Sequence, residues 1–306
     1  MNRNSASDFK NLVRRLLRKT TSHNWIRSIL LHLSKNEALP EWLWTRLPVD
    51  ATFQIEIPDK TIFLYASNSF DTIGRALFWK GLTNWEAETI PVFYKIAKQA
   101  KIVLDIGANT GFYTLLACAA NPKVEVFSFE PVPTIFTCLE NNITVNSFQK
   151  RCKAMQKAVS NKNGKVDFCE LDVDVLPTSS TLNTDGFRGY KGKIYQVDSI
   201  TIDSLDFTNN WVDLVKIDVE GFEDAVLEGM TSLFMKHRPA VIVECNFDGP
   251  YQAVERILKS QGYFMYHITS NGLIPHDHIK PDAAGKFLNF LCLPEIKTSF
   301  LAGIFE

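Results

Sequence analysis

The chain has 306 residues, which is enough to bury the core of one large domain or of one domain with an appended piece. Its 33 Lys and Arg residues nearly balance 34 Asp and Glu residues, and this near-zero net charge argues against a nucleic-acid partner. Six scattered cysteines form no C-x-x-C pair, so neither a zinc site nor a disulfide framework is expected. No apolar run approaches the length of a membrane span, about 18 residues. The composition therefore predicts a cytoplasmic globular protein.

The N-terminal part of the chain is predicted to form helices and a hairpin. Residues 8–19 and 22–35 read as two short helices, basic on one side and apolar on the other. We favour a helical pair packed on the main domain, although residues 1–35 could also dock on a membrane surface or a protein partner. The apolar segments 55–57 and 61–65 flank a short polar turn, which is the pattern of a β-hairpin.

From Lys101 onward, short apolar segments alternate with helical ones, which is the signature of a parallel sheet covered by helices. Strands are predicted at 102–104, 124–129, 153–159, 213–218 and 240–244, with a closing antiparallel pair at 263–268 and 287–293. A helical stretch at 84–100 precedes them, and residues 172–193 form a long polar excursion. We therefore predict an α/β fold: a doubly wound, mostly parallel, seven-stranded Rossmann-like sheet in residues 75–306. Residues 1–74 form a small helical and β extension.

The segment Val103–Thr114 carries the most informative pattern. A buried strand ends in Asp105, and a turn that contains Gly107 and Gly111 then opens a helix. Gly107 allows a sharp turn close to a ligand, and Gly111 allows the helix and the strand to pack closely. Asn109 stands where a middle glycine would be, and Asn tolerates the left-handed conformation well. The segment thus predicts a ligand-binding turn at the edge of a parallel sheet.

A second acid identifies the kind of ligand. Glu130 ends the next strand, 19 residues after Gly111, where it can hold both hydroxyls of a ribose. The G-x-x-x-G spacing lacks a glycine that a dinucleotide's pyrophosphate requires. Asp105 would repel a phosphate but suits the cationic amino acid end of S-adenosylmethionine. We therefore predict an S-adenosylmethionine site rather than a nicotinamide site.

Three sequence blocks together resemble the FkbM family of methyltransferases. They are Val103–Gly111, Phe129–Pro131 and Val215–Glu223, with Leu227–Gly229 extending the third. Ser179 and Ser180 match the serine-bearing segment of the family. The resemblance covers about residues 75–293 and implies an S-adenosylmethionine-dependent O-methyltransferase that acts on a hydroxyl of a sugar or another natural product.

The residues expected to bind the donor lie in the first two blocks and just after the third strand. They are Asp105, Gly107, Ala108, Asn109, Gly111, Tyr113, Glu130, Pro131 and Ser160. Ser160 is included because an adenine contact could occur after the third strand, although an ordinary turn residue is the default interpretation. The expected acceptor contacts are Ser179, Ser180 and Glu244, although a flexible surface loop explains the two serines equally well.

The third block supplies the candidate catalytic residues. Asp218 and Glu220 fall at the carboxyl end of their strand, where ligands of open α/β sheets bind. Asp218 is the first candidate for a general base or for orienting the acceptor, with Glu220 beside it. Lys216 could pair with one of them or lower the pKa of the acceptor. The competing interpretation is a structural ion-pair network with a helix N-terminal cap.

Two carboxylates could also bind a divalent metal, with Glu244 and Asn246 as the plausible additional ligands. The sequence lacks an acid cluster of the usual spacing, so no metal is predicted. Two alternative functions stay open: an N-methyltransferase for a small amine or amide, and a catalytically idle cofactor-binding module that docks through the basic N-terminal arm. The intact Asp105 and Glu130 argue against a decayed cofactor site.

Overall fold

A computed structural model describes residues 44–57, 59–83, 85–171, 192–207 and 211–295. The two predicted N-terminal helices and the predicted acceptor contacts Ser179 and Ser180 lie outside these residues. Within them, no helix combines the length and the apolar character that crossing a membrane requires.

The elements follow the alternation that the sequence predicts. The strands are β1 (Ala51–Glu56), β2 (Ile62–Ser67), β3 (Ile102–Ile106), β4 (Glu125–Phe129), β5 (Cys152–Met155), β6 (Ala158–Val159), β7 (Gly164–Leu171), β8 (Gly192–Ile200), β9 (Val212–Ile217), β10 (Ala240–Glu244), β11 (Tyr263–Thr269), β12 (Gly272–His276) and β13 (Asn289–Pro294). The helices are α1 (Thr72–Lys80), α2 (Thr89–Ala97), α3 (Phe112–Ala120), α4 (Pro133–Val145), α5 (Glu223–Glu228), α6 (Thr231–His237) and α7 (Tyr251–Ser260).

The central sheet has the order β12-β11-β13-β10-β9-β3-β4-β5. Strands β5, β4, β3, β9 and β10 are parallel, and β13 pairs antiparallel with both β10 and β11. All five residues of β3 are buried, because helices cover both faces of the sheet. The predicted mostly parallel α/β fold is confirmed. The sheet has eight strands rather than seven, because β12 adds a hairpin strand to β11 at the edge.

Helices pack on the sheet from both sides. Phe93 of α2 and Leu115 of α3 are buried in one apolar layer, and Phe234 of α6 and Leu258 of α7 are buried in the other. This double covering is what the apolar central strands require. The predicted domain boundary after residue 74 falls inside α1 and stays a prediction.

The predicted third strand at 153–159 is divided between two sheets. Residues of β5 stay in the central sheet, whereas β6 joins a second sheet of order β6-β8-β7. The division occurs because the N–H of Lys157 turns back to the carbonyl of Met155, at 2.9 Å. Strands β7 and β8 form an antiparallel pair that flanks the predicted excursion, since β7 ends just before it and β8 begins at its last two residues.

The β1–β2 hairpin is confirmed and packs against the main domain. Backbone N–H groups of Leu64 and Ala66 donate to the side-chain oxygens of Asn146 and Asn142, both at 2.7 Å. Tyr65 is fully buried, and its hydroxyl shares a 2.5 Å hydrogen bond with a hydroxyl in the turn before α3. The hairpin therefore supports the turn that the sequence assigns to the ligand.

Candidate active site

The turn between β3 and α3 forms one wall of the site. Gly107 has a φ of +80°, and a Cβ built there would lie 1.8 Å from the backbone oxygen of Asp218. Gly111 has a φ of +96°, and a Cβ there would lie 2.6 Å from the Cδ1 of Leu139. Asn109 adopts the expected left-handed conformation, with a φ of 50°. Only glycine fits at Gly107 without moving the neighbouring strand end.

Glu130 stands at the end of β4 and faces this turn. Its Oε2 accepts the N–H of Asn109 at 3.0 Å, and its Oε1 accepts the N–H of Val132 at 2.9 Å. Burial raises the pKa of Glu130 to about 7, although both hydrogen bonds oppose that shift. A cavity opens beside it, and the predicted residues that line the cavity are Gly107, Asn109, Glu130, Pro131, Asp218 and Glu220. We call this space the donor cavity.

Five predicted donor contacts are not among the described residues that line the donor cavity: Asp105, Ala108, Gly111, Tyr113 and Ser160. Asp105 lies beneath the turn, where its Oδ2 accepts the hydroxyl of Thr114 at 2.6 Å. Burial raises the pKa of Asp105 to about 6. Ser160 follows β6 into the second sheet, and its hydroxyl shares a 2.9 Å hydrogen bond with Ser199. Ala158 and Val159, the two residues of β6, line the cavity instead of Ser160.

The end of β9 brings a buried lysine to the site. The side chain of Lys216 is 1% exposed, and its Nζ lies 3.6 Å from Oδ2 of Asp218 and 5.3 Å from the ring centre of Tyr113. In the described chain this Nζ makes no hydrogen bond. Burial alone would lower the pKa of Lys216, but the surrounding carboxylates, Asp218 first, raise it above its usual range. Lys216 therefore stays charged.

Asp218 lies close to two further carboxylates, those of Glu86 and Glu244. Each of the three offers one oxygen, and these oxygens all lie within 4.8 Å of one another. We call these three residues the acid cluster. Burial, followed by the charge of Asp218, raises the pKa of Glu244 well above its usual range, and burial also raises the pKa of Glu86. Glu244 was predicted to contact the acceptor, whereas Glu86 was not singled out from the sequence.

Glu86 is fixed in the cluster from two sides. Its Oε2 accepts the hydroxyl of Tyr113 at 2.5 Å and the Nδ2 of Asn289 at 3.2 Å. Its φ of 44° is rare outside glycine, and such backbone strain is often found at functional sites. The helix predicted at 84–100 therefore begins only at Thr89, after this turn. Tyr113, which was expected at the donor, contacts the acid cluster through its hydroxyl.

Glu220 lies in the turn between β9 and α5 and lines the donor cavity. Its φ of 53° also lies in the left-handed region. No side-chain hydrogen bond caps the start of α5, where the N-cap residue is Phe222. The Oε1 of Glu223 instead accepts the N–H of Gly221, before the N-cap, at 2.9 Å. Glu220 is thus placed at the ligand edge of the sheet, as Asp218 is.

A comparison with known proteins assigns the chain to a family. Residues 105–265, just over half of the chain, match the model of the Methyltransferase FkbM domain. The chain therefore belongs to the FkbM family of methyltransferases, and S-adenosylmethionine is its cofactor. This confirms the family and the cofactor predicted from the three sequence blocks.

Several curated relatives match about half of the chain. Methyltransferase sdnD of Sordaria araneosa is 25% identical over 194 residues, which are 53% of this chain and 73% of that protein. Hexuronic acid methyltransferase AglP of Haloferax volcanii is 28% identical over 151 residues, 48% of this chain and 57% of that protein. The 2-O-methyltransferase NoeI of Sinorhizobium fredii is 26% identical over 163 residues, which are 47% of this chain and 63% of that protein. The match thus spans less than two thirds of AglP and of NoeI.

Solved structures of methyltransferases are also similar to this chain. The crystal structure of Methyltransferase FkbM from Methylobacillus flagellatus KT has a TM-score of 0.43 and 16% identity, and the match covers 64% of this chain and 44% of that one. The O-methyltransferase TomG from Streptomyces achromogenes, in complex with SAM, has a TM-score of 0.40 and 13% identity. The match covers 69% of this chain and 80% of that one.

The donor cavity suits S-adenosylmethionine chemically. Each oxygen of Glu130 accepts one backbone N–H and keeps lone-pair capacity for the hydroxyls of a ribose. The side chains of Ile135, Val159 and Phe168 supply an apolar wall of the kind that a purine needs. The G-x-x-x-G turn does not provide the glycine-rich pyrophosphate cradle of a dinucleotide site.

Proposed function

We propose that the chain is a cytoplasmic O-methyltransferase that methylates a hydroxyl of a sugar, a glycan or another natural product. The observation that carries this proposal is the position of Asp218, which lines the donor cavity and also belongs to the acid cluster. An acceptor that contacts the cluster therefore lies next to the donor. S-adenosylmethionine supplies an electrophilic methyl group when it is bound.

The chain's own residues provide for the proton that an attacking hydroxyl must lose. Asp218 accepts that proton or orients the hydroxyl, and the Nζ of the charged Lys216 lies 3.6 Å from its Oδ2. General-base assistance of this kind is typically worth about 10²–10⁴-fold in rate. Positioning by the other carboxylates contributes further, because a correctly held acceptor avoids the entropy cost of the encounter.

The acid cluster also favours a hydroxyl-bearing acceptor. Ionised carboxylates are acceptors of hydrogen bonds, and a polyol offers several hydroxyl donors. Glu244 and Glu86 flank Asp218 and can hold hydroxyls next to the one that reacts. Two of the relatives carry names that refer to sugar acids or to 2-O-methylation, which supports a carbohydrate acceptor.

Matched acceptors test the proposal. The purified chain is incubated with labelled donor and with pairs of compounds that differ only in a hydroxyl or an amino group, led by neutral glycosides. We expect methyl ethers as products, and methylated amines as the dominant products would contradict the proposal. Donor binding without turnover on any acceptor would favour the idle-module alternative.

Asp218→Asn tests the assignment within the same assay. We expect its donor affinity to stay close to that of the unmodified chain, while turnover falls by about 10²–10⁴-fold. Glu125→Gln is the control, because Glu125 is a partly exposed acid at the start of β4 whose ion pair with Lys153 spans 3.6 Å. A wild-type rate in Asp218→Asn would remove Asp218 from the reaction.

A further inference from the structure

We propose that the acid cluster of Glu86, Asp218 and Glu244 binds a divalent cation such as Mg²⁺ or Mn²⁺. Their ligand oxygens lie within 4.8 Å of one another. In an octahedral Mg²⁺ site with metal–oxygen distances of about 2.1 Å, neighbouring ligands lie about 3.0 Å apart and opposite ligands about 4.2 Å apart, so the three oxygens must move closer together to bind one ion. This differs from the sequence-based expectation of no metal, because Glu86 supplies a third carboxylate that the sequence did not reveal.

One oxygen of each carboxylate is already held by the protein. Oε2 of Glu86 accepts two hydrogen bonds, Oε1 of Glu244 accepts the Nδ2 of Asn246 at 3.3 Å, and Oδ2 of Asp218 pairs with Lys216. The second oxygen of each has no hydrogen bond within the described ranges. Metal-binding carboxylates are commonly oriented in this way, by donors outside the coordination shell.

Asn289 gives a second and independent indication of a ligand. It lies directly opposite Glu244 in the β10–β13 pair, so the two side chains share one face of the sheet. Its residue is 5% exposed, its Nδ2 contacts Glu86, and its Oδ1 has no hydrogen bond in the described part of the chain. Leaving such an oxygen buried and unpaired is unfavourable. An amide oxygen is a ligand that hard divalent cations accept.

The acid cluster holds more carboxylates than it has ion-pair partners. Among the described residues, Asp218 is the only member of the cluster in an ion pair, with the Nζ of Lys216 at 3.6 Å from its Oδ2. Buried or half-buried charges require partners, and a divalent ion supplies the missing positive charge. The inference deepens the proposed function and rests on it in one respect: a cation here would hold the acceptor hydroxyl and favour loss of its proton.

Mn²⁺ binding tests the proposal without requiring any acceptor. The full chain is titrated with Mn²⁺, and the free ion is followed by electron paramagnetic resonance, with Mg²⁺ as competitor. We expect one Mn²⁺ per chain, with a Kd at or below the range of weak carboxylate sites, about 10⁻⁴–10⁻³ M. Glu86→Gln, Asp218→Asn and Glu244→Gln should each weaken binding at least about tenfold, and the control Glu125→Gln should not change it.

Two further variants separate loss of the site from loss of folding. Asn289→Asp adds a carboxylate and should strengthen Mn²⁺ binding, and Lys216→Met removes a competing charge and should do the same. No binding by the wild-type chain up to about 10 mM Mn²⁺, above the weakest typical range, would overturn the proposal. Unchanged binding in all three acid variants would overturn it as well. In either case, retained S-adenosylmethionine binding would leave the proposed function standing, whereas lost donor binding would refute that function separately.

Discussion

Donor affinity should depend on pH through Glu130. Its carboxylate must be ionised to accept hydrogen bonds from both hydroxyls of a ribose. Burial raises the pKa of this carboxyl to about 7 in the ligand-free chain, so the protonated form dominates below that pH. Affinity should therefore rise as pH increases through 7 and reach a plateau above it.

The magnitude follows from the fraction of ionised Glu130. With a pKa of about 7, only about 3% of the carboxyl is ionised at pH 5.5, and nearly all of it is ionised at pH 8.5. Since apparent affinity falls with the fraction of the binding-competent form, the Kd should be about 30-fold higher at pH 5.5. Hydrogen bonds from the ligand stabilise the ionised form further, which shifts the midpoint of the bound state to lower pH.

Calorimetric titration with 5′-methylthioadenosine measures this effect. That fragment keeps the nucleoside and lacks the amino acid group, whose own titration would complicate the profile. Glu130→Gln removes the titrating group and should give weaker binding that is nearly independent of pH. It also leaves one of the N–H groups of Asn109 and Val132 without its acceptor, which costs about 1–3 kcal/mol of stability. The reasoning is refuted if Glu130→Gln shows the same pH dependence as the wild-type chain.

Three further substitutions test other parts of the structure. Gly107→Ala should abolish donor binding and lower Tm, because its Cβ would meet the backbone oxygen of Asp218; calorimetry showing wild-type binding would contradict this. Tyr113→Phe should lower turnover about tenfold with little change in donor Kd, because it removes one of the two hydrogen bonds that hold the carboxylate of Glu86; an unchanged rate would show that Tyr113 is dispensable. Asp71→Ala removes the 2.9 Å cap of α1 to Gly74 and should cost about 1 kcal/mol in urea unfolding; no loss would refute the cap.

Local sequence patterns were sufficient for the turn and for the ends of the strands. Gly107, Asn109 and Glu130 could be placed because a strand–turn–helix pattern fixes their positions over a few residues. Asp218 could be placed at the ligand edge for the same reason, since it directly follows an apolar strand. These inferences needed only the period of the strand and the conformational freedom of glycine.

Long-range geometry accounts for what the sequence did not reveal. Glu86 lies 132 residues before Asp218, and only the strained turn before α2 brings its carboxylate to the sheet edge. Ser160 was expected at the donor because Lys153–Val159 resembles one continuous strand, whereas a backbone hydrogen bond from Lys157 to Met155 sends β6 into another sheet. Asp105 belongs to β3 itself, so its side chain bonds to Thr114 of α3 beneath the ligand edge.

The central claim is that the donor cavity binds S-adenosylmethionine through Glu130 and the turn at Gly107. Calorimetric titration of the full chain with S-adenosylmethionine and S-adenosylhomocysteine, with NAD as the control, tests it most directly. We predict micromolar binding of the first two and no binding of NAD. Binding of NAD alone, or of none of the three, would contradict the account.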